Sequence, residues 1–167
     1  GSNQQKLINQ PTEITGTTQQ LVAQLSNIIN FIYEKFGHEI NISLIGHSMA
    51  SDIVVRASAD NRIKSVVAIS PYSTGITQDF PNDLLLLSGQ FESHLRSHAL
   101  QMVKTFKPEA KENTEYKNGK IRRKASFIKN TGHVSVIYAP QTTKVIIDWL
   151  NLKNYDRHIW ENQIGWI

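Results

Sequence analysis

The chain has 167 residues, 40% of them hydrophobic and 19% charged, with a formal charge of +4 and no cysteine. That size and balance fit one compact domain and argue against a disordered chain or a fibrous repeat. The missing thiols exclude a disulfide framework, a cysteine nucleophile and a zinc–thiolate site, while the longest purely apolar runs, such as Leu84 to Leu87, fall far short of the roughly 20 residues a membrane span needs.

Gly1-Ser2 reads as an expression scar, and residues 1–15 are polar without a sustained period, so a polar arm is expected there. Structure is expected from Gly16. Thr17 followed by Gln20 resembles a capping box, and Leu21, Leu25, Ile28, Ile29, Ile32 and Phe36 recur on one helical face until Gly37 ends the helix.

Ile40 to Ile45 is short, apolar and rich in β-branched residues, which predicts a strand. It runs into Gly46-His47-Ser48-Met49-Ala50, after which Ile53, Val54 and Ala57 return at helical spacing. Ile63 to Ile69 and Leu84 to Leu87 are two further buried strands, each ending in turn residues, Ser70-Pro71 and Ser88-Gly89.

Leu95, Ala99, Met102, Val103 and Phe106 predict a helix that stops before Pro108. Asn118-Gly119 is a two-residue hairpin turn, giving a small hairpin over 115–121 that leads into a strand at Ala125 to Lys129. Val145, Ile146, Trp149 and Leu150 form a last amphipathic helix, its start set by Pro140 and Thr142. Strands that are apolar throughout and alternate with helices predict a three-layer α/β domain over 16–152, with a mostly parallel sheet covered by helices on both faces. Residues 153–167 are then a C-terminal tail.

Much of the positive charge sits between Lys104 and Lys129, interleaved with Glu109, Glu112 and Glu115. That mixture reads as a solvated face, so no nucleic-acid partner is expected, although binding through this segment would betray itself by a steep salt dependence. His94 and His98 stand one helical turn apart, a zinc spacing, but no third ligand is evident and no metal is assigned.

A serine hydroxyl becomes a useful nucleophile when a strained turn lifts it clear of the backbone and a base stands beside it. Gly46-His47-Ser48-Met49-Ala50, between an apolar strand and an amphipathic helix, resembles the G-x-S-x-G nucleophile elbow of the α/β-hydrolases, with Ala50 in place of the second glycine. The bland alternative is that Ser48 caps the helix beginning at Met49.

Leu87-Ser88-Gly89-Gln90-Phe91-Glu92 looks like the acid loop of that family, where Asp is commoner than Glu, and Thr131-Gly132-His133-Val134-Ser135 stands where the family places its base. The order Ser48, Glu92, His133 is the family's order of nucleophile, acid and histidine. Asp79 and Asp83 are the fallback acids.

The resemblance covers Thr17 to about Leu152 and implies a fold lacking its N-terminal strands. It further implies an oxyanion hole using the Met49 N–H, a pocket involving His47, Tyr72 and Phe91 with Met49, Ile76 and Phe80 as further apolar lining, no cofactor, and a small ester or acyl substrate. The strand at Ile40 to Ile45 would then expose a hydrophobic edge, to be met by a second copy or by a missing N-terminal segment. Two other readings stay open: a hydrolase-like fold used as an interaction module, and nucleic-acid binding through the basic segment.

Overall fold

The computed structural model describes residues 14–152. Its element order is α1 (Ile14–Phe36), β1 (Ile42–His47), α2 (Met49–Ala57), β2 (Ile63–Ile69), β3 (Asp83–Gly89), α3 (Ser93–Lys104), β4 (Glu115–Asn118), β5 (Ile121–Ile128), α4 (Ser135–Tyr138) and α5 (Pro140–Leu150). The five strands form one sheet in the order β1-β2-β3-β5-β4, parallel except for the β4–β5 hairpin.

Alternation along the strands divides the core in two. Val66, Ala68, Leu84 and Leu86 face a cluster that includes Ile29 of α1, Val54 and Val55 of α2 and Val103 of α3. Val67, Ile69, Leu85 and Leu87 face the other way, onto Val136 of α4 and Trp149 of α5. Val66 to Ile69 of β2 and Leu84 to Leu87 of β3 are therefore dry on both faces, which is why these stretches read as unbroken apolar runs. Leu84 to Leu87 are fully buried, and each side chain contributes roughly 1.5–3 kcal/mol by leaving water.

Parallel strands put the carboxyl ends of β1, β2, β3 and β5 along one edge of the sheet, where open α/β sheets gather ligand-binding loops. Ser48, Ser70, Glu92 and His133 follow those four ends in turn.

Several boundaries depart from the sequence expectation. The helix begins at Ile14, upstream of Thr17, so Thr17 lies inside α1 and is not its cap; of the expected polar arm, Ile14 and Thr15 are helical, and residues 1–13, like the expected tail at 153–167, lie outside the described residues. β1 is displaced toward the site, because Gly46 and His47 pair with Ala68 and Ile69 of β2. β5 starts four residues before Ala125, since Arg122, Arg123 and Lys124 pair with Asp83, Leu84 and Leu85. Their charges hide a strand whose polar groups find tertiary partners: Arg122 donates to Asp83 at 2.6 Å and lies 3.8 Å over the Trp149 ring. Among the described residues β1 is an edge of the sheet, paired only with β2, and Ile45 on it is exposed. No helix among them is long and apolar enough to cross a membrane.

Candidate active site

The turn between β1 and α2 is one residue, Ser48, at φ 55° and ψ −122°. A side chain held at positive φ is strained, and such strain persists only where the surroundings enforce it. Here the Ser48 N–H donates to the Ile69 carbonyl at 2.9 Å, tying the turn to β2. The turn closes tightly enough that a Cβ on Gly46 would stand 2.7 Å from the Ala50 carbonyl carbon and 2.8 Å from Val54 Cγ2. Glycine is required at 46, whereas Ala50 fits where it is.

Ser48 makes no side-chain capping bond to α2. Its hydroxyl lies instead 3.0 Å from His133 Nε2. His133 Nδ1 is 2.7 Å from Glu92 Oε1. An ionised carboxylate only accepts, so Nδ1 carries the ring proton and Nε2 is left as the acceptor for the serine O–H. The Glu92 side chain is 6% exposed and that of His133 46%, so a sheltered anion backs an imidazole open to an incoming molecule.

Glu92 is held at its second oxygen as well. Oε2 accepts from the Gly89 N–H at 2.5 Å and from the Ser70 hydroxyl at 2.8 Å. Gly89 is itself fixed by close approach, since a Cβ there would stand 2.9 Å from the Thr131 carbonyl carbon. Crossed backbone bonds, Gln90 N–H to Ile128 O at 2.9 Å and Phe91 N–H to Thr131 O at 3.0 Å, tie the acid loop to the loop that carries His133.

Sequence reasoning did not single out Ser70 or give His47 its position. Ser70 sits at φ 48° after β2, and only the Ser-Pro pair at a strand end hinted at it. The His47 Nε2–H donates to the His133 backbone carbonyl at 2.8 Å, and the two rings lie 4.7 Å apart. His47 thus steadies the loop of the other histidine.

Beside Ser48 and His133 opens a cavity of about 570 Å³. Met49, Tyr72 and Leu95 give it apolar walls, and Asp52, Arg56 and Thr74 are among its polar lining. Of the expected pocket residues Tyr72 lines it, but His47 and Phe91 do not; Phe91 is exposed. Phe80 lines a neighbouring cavity, and Ile76 packs against the core. As the first residue of α2, Met49 carries a backbone N–H without an intrahelical acceptor, immediately after Ser48.

The fallback acids are engaged elsewhere. Asp83 stands at the start of β3, opposite the site, where it accepts from Ser65 and Arg122. The charge of Asp79 acts on Arg123, whose guanidinium is lowered by burial to about 10. His98 stacks on Tyr72 at 4.9 Å, and burial, with the charge of His94, lowers its pKa. Among the described residues no group of three His, Asp or Glu side chains is placed to hold a metal. Of the glutamates in the basic segment, Glu112 pairs with Arg96 of α3 and Glu109 with Lys107.

No family model matches the chain, and no curated protein matches it in sequence.

Proposed function

We propose that the chain is a serine hydrolase of the α/β-hydrolase type that cleaves an ester or related acyl bond. The observation that carries this reading is the unbroken relay from Ser48 Oγ to His133 Nε2 at 3.0 Å and from His133 Nδ1 to Glu92 at 2.7 Å. Further support comes from the positive φ of Ser48, its missing cap bond and the cavity that opens at its hydroxyl.

In the reaction, Ser48 Oγ bonds to the acyl carbon as His133 Nε2 takes its proton. Glu92 keeps the proton on Nδ1 and stabilises the imidazolium. The Met49 N–H faces the oxyanion that develops, a contribution of roughly 10²–10³ in rate for one donor. As the bond to the leaving group breaks, His133 returns its proton to the departing atom. Water then attacks the acyl-enzyme with His133 again as base, restoring Ser48.

One observation favours a second reading. The free edge of β1 among the described residues suits a binding module that assembles through that edge, with the relay as a relic. Burst kinetics with p-nitrophenyl butyrate separate the two. The hydrolase reading expects a burst of about one p-nitrophenolate per chain, followed by slower turnover and lost in Ser48→Ala. No burst and no turnover would leave the binding module as the better reading.

A further inference from the structure

Ser48, which leads into α2, and Asp52 and Arg56 at four-residue intervals along that helix line the same cavity. They form one wall, with Arg56 roughly 12 Å along the helix from Ser48 at 1.5 Å per residue. Among the described residues Arg56 is the one lysine or arginine that lines this cavity.

Its guanidinium is fixed from two sides. Nε donates to Asp52 Oδ2 at 2.8 Å and Nη2 to Thr74 Oγ1 at 2.9 Å. Asp52 is fixed in turn, its Oδ1 accepting from Ser73 at 2.5 Å. A guanidinium has five N–H donors in a rigid fork, and these contacts engage two of them. The others belong to a side chain 41% exposed. A simple surface ion pair needs neither Thr74 nor Ser73. These extra anchors hold the fork in one orientation, as bidentate recognition of a carboxylate or phosphate requires. Beyond Arg56 a second cavity of about 400 Å³ begins, lined by Val22, Gly75 and Phe80, with Gln19 and Arg56 shared between the two.

From this we infer that Arg56 reads an anionic group, a carboxylate or a phosphate, on a substrate whose scissile carbonyl lies at Ser48. The inference rests on the hydrolase reading for what happens at Ser48, but the recognition it assigns to Arg56 is separable from turnover. The substrate class is an acyl compound with an apolar middle, set against Met49, Tyr72 and Leu95, and a negative group about two helical turns from the reacting carbon. The second cavity leaves room for the chain to continue past that group.

The test measures binding to the Ser48→Ala protein by calorimetry, using monomethyl and dimethyl esters of the linear dicarboxylic acids from succinate to sebacate. At the best length the monomethyl ester, with its free carboxylate, should bind about two- to fivefold more tightly than the diester, as suits a partly exposed charge pair. Arg56→Gln should bring the two to parity, Arg56→Lys should keep part of the preference, and added salt should shrink it. Matching Tm values for the three proteins exclude misfolding as the cause. Equal affinities at every length, or no binding of either probe, would overturn the inference. A preference for the monoester without hydrolysis of any ester by the Ser48 protein would instead count against the hydrolase reading and leave the Arg56 site standing.

Discussion

Ser70 Oγ lies 2.8 Å from Glu92 Oε2, on the oxygen that does not face His133. The carboxylate is therefore gripped from behind by a hydroxyl and by the Gly89 N–H while its front oxygen orients the imidazole. Ser70→Ala should lower kcat/KM about tenfold, the cost of one hydrogen bond to a charged acceptor, through a looser Glu92. Glu92→Gln removes the carboxylate charge that holds His133 in its tautomer and should cost roughly 10³–10⁴ in kcat. Steady-state kinetics on one ester rank the two; equal losses would contradict Ser70 acting through Glu92.

His47 is not among the residues that line the cavity, and it donates to the His133 carbonyl at 2.8 Å. His47→Ala should reduce kcat several-fold to about tenfold while leaving KM nearly unchanged, because the loop of the base loses one anchor. A rise in KM at constant kcat would place His47 in the pocket instead.

Gly46→Ala should destabilise the fold by about 2–3 kcal/mol or prevent it forming, since the added methyl overlaps the first turn of α2. Ala50→Gly, the opposite change at the other end of the turn, should cost only about 0.5–1 kcal/mol of helix propensity and keep activity. Urea unfolding followed by circular dichroism reads both.

Burial lowers the pKa of His98, and its Nε2 has no partner. The folded state therefore binds a proton less readily than the unfolded one. Stability linked to this residue is full above the unfolded value of about 6.5 and is lost as pH falls through the lowered folded value. Thermal midpoints should drop on going from pH 7 to pH 5, and His98→Phe, which retains the stacking on Tyr72, should flatten that part of the profile. An unchanged slope in the variant would show that other groups set it.

Much of this fold could be read in the sequence because its strands are buried on both faces. Leu84 to Leu87 and Ile63 to Ile69 announce themselves by composition, and Glu92 stands in the turn after the first of them, while Ser48 and His133 follow the ends of β1 and β5. The first half of β5 was hidden because Arg122 and Arg123 neutralise their cost through tertiary partners, Asp83, Trp149 and Phe106, that no local pattern reveals. α4 is a single turn, too short to show a period. The roles of Ser70, His47 and Arg56 depend on contacts between residues 18 to 86 positions apart, which spacing along the chain does not encode.

The most direct measurement is labelling with a fluorophosphonate and locating the adduct by mass spectrometry. A single adduct on Ser48, abolished in Ser48→Ala and at least a hundredfold slower in His133→Ala, is the expected result. No adduct on Ser48, or equal labelling in the His133→Ala protein, would contradict an activated serine.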